Sequence, residues 1–186
     1  MITHRIAKYN PENRNSDGSY SDQSEWTSIS DIGNPDYGSP TYEQYEAVEN
    51  KYVQAVLEIL KEKSVKDLSV RGLELCYTKK DFDEFVKDGR LHNLPINFDT
   101  EISPLRNGSK ISLGYLEKII RLILRETIWM RLESEKVKVM FGYDYYMYVY
   151  CEPLLDETMR EIKLNGVFVE READQTDITA INEDKI

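Results

Sequence analysis

Cysteine, histidine and long apolar runs are scarce in this chain of 186 residues, and each scarcity excludes a class of protein. The two cysteines, Cys76 and Cys151, lie far apart in strand-like apolar runs, so they define neither a disulfide framework nor a metal site. No apolar stretch approaches the roughly twenty residues that a transmembrane helix needs. The first residues contain no apolar core of signal-peptide length. We therefore expect a cytoplasmic protein that does not enter a membrane.

Catalytic sequence motifs are also missing. The chain contains no His-Glu-x-x-His, no Gly-x-Ser-x-Gly, no phosphate-binding Gly-rich loop and no Gly-x-Gly-x-x-Gly. Its two histidines, His4 and His92, lie in different predicted segments, and a cysteine nucleophile would need a histidine beside it. We expect both cysteines to be buried in strands. The sequence thus favours a protein that is not an enzyme and that holds no cofactor or metal.

Two carboxylate-rich stretches keep an enzymatic alternative open. Asp81, Asp83 and Glu84 cluster in the first turn of a predicted helix, where acidic residues also simply complement the helix dipole. Residues 13–19 fit the first half of a calcium loop, but the twelfth position is Ser24 instead of glutamate. A turn-forming loop is the simpler interpretation of that stretch. A small enzyme using the carboxylates of the cluster or of residues 13–22 remains an alternative.

The net charge of the chain limits the classes of partner that we expect it to bind. The chain has 34 acidic and 24 basic residues, for a net charge of −10. This excess repels phosphate backbones, so we expect no nucleic-acid binding. It favours association with a basic protein surface, although acidity also serves solubility alone.

The apolar pattern predicts an α+β fold in a single domain, with a small, mostly antiparallel sheet packed against a long buried helix and an amphipathic helix. The globular domain is expected to span residues 1–172, with a long irregular region at 10–40 anchored by Trp26 and Ile29. An acidic, mobile tail is expected at 173–186. The predicted elements are a strand at 2–9, the amphipathic helix at 41–63, a strand at 68–77, a short helix after Thr78, the buried helix at 113–133, two strands within 136–152, a helix opened by Pro153 with Leu155, Met159 and Ile162 inward, and a strand at 167–169.

The densest signal is a tract of alternating residues between 137 and 152. In a strand, successive side chains point to opposite faces of the sheet, so the apolar odd positions are expected in the core. These are Val137, Val139, Phe141, Tyr143, Tyr145, Met147, Val149 and Cys151. The even positions form the candidate partner-binding strip, an acidic and aromatic set of Asp144, Tyr146, Tyr148, Tyr150 and Glu152.

That strip has two interpretations. If the even face is open, tyrosine rings and carboxylates meet a basic partner. If the helix at 41–63 or the helix after Pro153 covers it, the tyrosines are structural. A turn within residues 142–145 could also shift the phase between the two strands.

Several stretches resemble a known family. Lys8-Tyr9-Asn10-Pro11, Asp17-Gly18-Ser19-Tyr20 and Glu25-Trp26-Thr27-Ser28-Ile29-Ser30-Asp31-Ile32-Gly33 are similar to the opening of small bacterial proteins encoded beside polymorphic toxins. The run Phe141-Gly142-Tyr143-Asp144-Tyr145-Tyr146-Met147-Tyr148 and the segment Gly166-Val167-Phe168-Val169-Glu170 resemble their closing half. The resemblance covers about a third of the chain. It implies an immunity protein, or antitoxin, of the contact-dependent growth inhibition type, and it assigns no interface residue.

The resulting hypothesis is a cytoplasmic immunity protein that neutralises a cognate toxin domain by non-catalytic complex formation. The toxin is expected to be a nuclease, because a basic substrate cleft complements an acidic inhibitor. The alternatives are a small acidic regulatory or adaptor protein and the carboxylate-dependent enzyme.

Overall fold

The part of the chain that the structure describes folds into seven strands and four α-helices. The computed structural model describes residues 1–16, 19, 20, 25–75 and 77–172. The strands are β1 (Ile2–Ala7), β2 (Asp67–Glu74), β3 (Lys110–Ser112), β4 (Trp129–Glu133), β5 (Val137–Phe141), β6 (Met147–Cys151) and β7 (Phe168–Glu172). The helices are α1 (Tyr42–Glu62), α2 (Lys79–Lys87), α3 (Leu113–Leu124) and α4 (Asp156–Leu164).

All seven strands belong to one sheet, in the order β3-β2-β4-β5-β6-β1-β7, and every pairing is antiparallel. This confirms the predicted α+β class. One face of the sheet, the inner face, is apolar. The register aligns buried side chains across it, in a row formed by Val70, Leu132, Val139, Val149 and His4.

Helix α1 begins where the sequence predicts. The Thr41 hydroxyl accepts from the backbone N–H of Gln44, and the Gln44 side chain accepts from the N–H of Thr41, which is a complete capping box. The helix then buries one side against the core. That side includes three polar residues at i, i+4 and i+7, namely Tyr45, Glu49 and Tyr52, and all three are fully buried.

This polar stripe connects α1 to three separate parts of the chain. The Tyr45 hydroxyl donates to the carbonyl of Leu124 at 2.7 Å, at the end of α3. The Tyr52 hydroxyl donates to the carbonyl of Tyr145 at 2.5 Å, and it accepts from the N–H of Lys8 at 2.7 Å. Each polar group is therefore paired, as burial requires.

Glu49 completes the stripe through a buried ion pair. Both of its carboxylate oxygens accept from Arg125, whose Nε and Nη2 each lie 2.8 Å away. Arg121 donates to the same carboxylate at 2.6 Å. Burial opposes the charged form of Arg125, but the hydrogen bonds and charge of Glu49 outweigh it, so the pKa of Arg125 is raised.

The long buried helix ends earlier than the predicted 113–133. Helix α3 stops at Leu124, and Glu126 has a left-handed φ of 55° that turns the chain back into β4. The prediction was wrong because the apolar residues encircle α3 and continue without interruption into Ile128 and Trp129. Arg125, the residue directly after α3, is only 1% exposed.

The tract at 137–152 forms β5 and β6, and its odd positions lie in the core with one exception. Tyr143 is 73% exposed, so its predicted burial was wrong. Asp144 and Tyr145 occupy the turn with φ of 55° and 60°, and this turn carries Tyr143 out of the strand plane. The register keeps Phe141 opposite Met147, so the phase is not shifted.

The last predicted helix and the long loop also differ in detail. Helix α4 begins at Asp156, and Leu154 is buried in place of Leu155, which is 61% exposed. The region at 10–40 contains three short 3-10 helices, Pro11–Asn13, Ile29–Asp31 and Pro35–Tyr37. The predicted tail at 173–186 and Cys76 lie outside the described residues. Among the helices that the structure describes, none is long and apolar enough to cross a membrane.

The Glu49–Arg125 pair leads to a stability prediction. Glu49→Gln leaves the buried Arg125 charge with only Glu46, 3.6 Å away, as an acidic partner, and should lower the free energy of unfolding by about 3–5 kcal/mol. The double change Glu49→Leu/Arg125→Met should cost less, because no uncompensated charge remains. Urea denaturation measures both, with Lys61→Met in the exposed Glu58–Lys61 pair as the control, expected to cost under ~1 kcal/mol. A Glu49→Gln loss as small as that of the control would contradict the prediction.

Candidate functional site

The side of the sheet opposite the core, which we call the outer face, carries the predicted strip. Helices α1 and α4, which were suggested as a cover for this strip, lie on the opposite side of the sheet. Tyr52 of α1 binds Tyr145 beneath the sheet, and Ile162 of α4 belongs to the apolar core. Neither α1 nor α4 therefore covers the even positions of β6.

The five residues of the predicted strip are not one continuous surface. Tyr146, Tyr148 and Tyr150 are half-buried, whereas Asp144 and Glu152 are exposed at opposite ends of β6. Asp144 lies in the turn, and the Glu152 carboxylate lies 3.3 Å from the N-terminal ammonium group. Strands β1 and β5 thus lie on either side of the tyrosine row, and the two exposed carboxylates lie at its two ends.

Tyr146 is held by an aromatic cluster that includes the N-terminal segment. Its ring lies 6.5 Å from that of Tyr148 and 5.7 Å from that of Tyr9, and Tyr9 in turn lies 5.1 Å from Tyr20. The Arg5 guanidinium stands 5.5 Å above the Tyr146 ring. The segment around Tyr9 and Tyr20 thus packs on this end of the outer face.

Glu170 bridges two arginines in the same place. One of its oxygens accepts from Arg5 Nη2 at 3.1 Å and from Arg14 Nη2 at 2.9 Å. All three side chains are more than three-quarters buried. This charge cluster ties β1, β7 and the N-terminal segment together, so we interpret it as structural.

The other half of the outer face has different properties. Here Arg71 of β2 lies directly opposite Arg131 of β4, and Trp129 and Tyr143 stack with ring centroids 6.1 Å apart. Lys138 faces Glu133 across β4 and β5. Sequence reasoning missed these residues because Trp129 to Glu133 was assigned to a helix. The alternation of apolar and polar residues in Trp-Met-Arg-Leu-Glu was the available signal.

Negative charge is concentrated in two segments of the sequence. Residues 10–40 contain six acidic residues and one basic residue, and residues 173–186 contain four and one. These two segments therefore carry most of the net charge of −10. Within the first segment, Glu12, Glu25 and Asp36 are exposed.

A cysteine and a histidine do meet in the core. His4 Nδ1 lies 3.7 Å from Cys151 Sγ, and the N–H of Leu154 donates to His4 Nε2 at 3.4 Å. Burial raises the pKa of Cys151 to about 11, and burial lowers the pKa of His4 despite an opposing hydrogen bond with the Val149 backbone. Both groups are fully buried and neutral at pH 7, so the pair lacks the exposed thiolate that nucleophilic chemistry requires.

The predicted carboxylate cluster does not converge on a cleft. Asp81 caps its own helix, accepting from the N–H and hydroxyl of Thr78 at 2.8 and 2.7 Å, which confirms the capping box. Asp83 and Glu84 are exposed on α2. Asp17 and Ser24 of the calcium-like loop lie outside the described residues. Within the described ranges, no three acidic, histidine or cysteine side chains are grouped to hold a metal.

A cleft of about 440 Å³ lies where α1 and α3 meet. Glu46, Asn50, Lys118 and Arg121 line it, and Arg125 forms its floor. The guanidinium of Arg121 already binds Glu49, Asn50 and Glu117, so its donors are engaged within the protein. Sequence reasoning gave no indication of this cleft.

Comparisons with family models, curated proteins and solved structures give no match for this chain.

The buried histidine leads to a prediction about acid stability. Because the folded state keeps His4 neutral, the unfolded state binds a proton that the folded state refuses once the pH falls below about 6.5. The free energy of unfolding should therefore decrease as the pH falls below that value, by up to ~1.4 kcal/mol per pH unit. His4→Gln keeps an acceptor for Leu154 and should flatten this slope between pH 7.5 and 5.5 in urea titrations. His92→Gln, at the half-exposed histidine, is the matched control, and equal slopes in wild type and His4→Gln would disprove the assignment.

Proposed function

We propose that this chain is a cytoplasmic immunity protein that binds a cognate toxin domain and neutralises it without catalysis. The single observation that carries the proposal is the outer face of the sheet. It combines half-buried tyrosines with charged side chains and with a half-buried tryptophan stacked on an exposed tyrosine, a composition typical of protein-binding surfaces. The resemblance to immunity proteins supports the same class of partner.

The position of the charges supports a toxin with a basic surface. Glu12, Glu25 and Asp36 are exposed on a segment that also packs, through Tyr9 and Tyr20, against the edge of the outer face. A basic substrate cleft would be attracted to this segment while the outer face makes the close contacts. A nuclease domain is the toxin class with such a cleft.

The fixed backbone of the sheet also favours binding, because the outer face is largely preformed. The outer face belongs to strands whose inner residues are fixed in the core, including Val139, Met147 and Val149. Its side chains therefore have little backbone freedom to lose on association, which lowers the entropic cost of binding. This suits a tight inhibitor.

Co-expression with the toxin domain encoded directly upstream provides the test. We expect one peak on a sizing column at micromolar concentration, with a dissociation constant that increases at high salt because exposed charges contribute. Tyr148→Ala should weaken the complex at least about tenfold, as loss of an interface aromatic typically does. Leu164→Ala, at an exposed residue of α4, is the matched control and should bind like the wild type.

Two separate peaks for wild-type protein and toxin would reject the proposal. An upstream gene that encodes no secreted toxin, together with capture of a regulatory protein, would favour the adaptor alternative.

A further inference from the structure

Two arginines face each other on the outer face without an acidic residue between them. Arg71 of β2 and Arg131 of β4 are directly opposite in the antiparallel register. Like charges in this position destabilise a sheet, so the pair is unfavourable for folding alone. Arg131 lies 3.8 Å from Glu133, and Arg71 makes no ion pair within the part of the chain that the structure describes.

The backbone beside the pair leaves room for a guanidinium. The pairing of β2 with β4 shifts register between Arg71 and Glu74, and Gly72 in this bulge has a left-handed φ of 59°. A Cβ at Gly72 would lie 3.8 Å from Arg131 Nε and 3.9 Å from Nη2. The guanidinium therefore lies close beside the glycine backbone, and its side chain remains 38% exposed.

A half-buried tryptophan stacked on an exposed tyrosine lies next to the arginines. Trp129 precedes Arg131 by two residues and so points to the same face. Its ring stacks on Tyr143 with an interplanar angle of 27°, and the turn described above holds Tyr143 out of the core. Arginine, tryptophan and tyrosine are the three residue types most enriched at interface hot spots.

We infer that this corner of the sheet receives an acidic segment of the partner protein. A carboxylate binds between Arg71 and Arg131, and an adjoining apolar side chain packs on Trp129 and Tyr143. The inference rests on the proposed function and adds a second, oppositely charged contact to it. The partner then presents basic residues to the segment at 10–40 and an acidic residue to Arg71 and Arg131, which fixes its orientation.

The positive charges of Arg71 and Arg131 determine which kind of group binds at this corner of the sheet. One carboxylate is sufficient to relieve the repulsion between two guanidinium groups, and it can accept hydrogen bonds from both. Nucleic acid is a poorer match, because a polyanion needs a longer basic track and the net charge of −10 repels it.

Binding and stability should change in opposite directions when the pair is removed. In the full chain, we expect Arg71→Gln/Arg131→Gln to weaken the complex with the upstream toxin domain about tenfold or more in calorimetric titrations. The melting temperature of the free variant should stay the same or rise, because the like-charge repulsion is gone. Lys138→Gln is the matched control, since it removes one charge on the same face where Lys138 already faces Glu133. It should bind nearly like the wild type.

The outcomes separate this inference from the proposed function. Unchanged affinity of the double variant beside a tight wild-type complex would overturn the inference and leave the proposed function standing. Failure of the wild type to bind the toxin would overturn both. Wild-type dimers that the double variant abolishes, or an oligonucleotide bound by the wild type alone, would show a different occupant and would also overturn the inference.

Discussion

The polar stripe on α1 is the interaction on which the rest of the fold depends. Tyr45, Glu49 and Tyr52 are fully buried, and each binds a different part of the chain: the end of α3, Arg125, and the β5–β6 turn together with Lys8. Apolar contacts alone would tolerate small rotations of α1. Directional hydrogen bonds and a bidentate ion pair do not, so the stripe sets both the position and the rotation of the helix.

The inner and outer faces of the sheet have different compositions and different roles. The apolar residues of the inner face pack against the helices, whereas the outer face carries charged side chains and aromatic rings. At the β1–β7 end, Glu170 bridges Arg5 and Arg14, and the segment around Tyr9 and Tyr20 packs beside them. At the β2–β4 end, Arg71 and Arg131 retain their positive charge. The same face thus holds one charge cluster that stabilises the fold and another that a partner would complete.

The sequence was informative wherever one local pattern dominated. The start of the helix at Thr41, the short helix after Thr78 and the alternation of β5 and β6 follow from local patterns, and the structure confirms them. The end of α3 could not be predicted in this way, because an uninterrupted apolar pattern fits a buried helix and a following strand equally well. Helix α3 ends because Glu126 adopts a left-handed conformation and because β4 pairs with the distant strand β2.

The candidate site was predictable only in part, for a similar reason. Tyr146, Tyr148 and Tyr150 were placed on the correct side of β6, but their neighbours come from strands far away in sequence. The opposition of Arg71 and Arg131 arises from sheet register, which no single segment encodes. The concentration of acidic residues in 10–40 and 173–186 was visible in the sequence.

Alternation of core and surface along the same strands has a consequence for divergence. In β4, β5 and β6, outward residues alternate with neighbours that point into the core, so a substitution at an outward position that makes few contacts leaves the packing beneath it intact. Under the proposed function, a lineage could therefore replace Arg131 to suit a new partner while its folding free energy hardly changes. Along each of these strands, the residues that would determine binding specificity are different from the residues that determine folding stability.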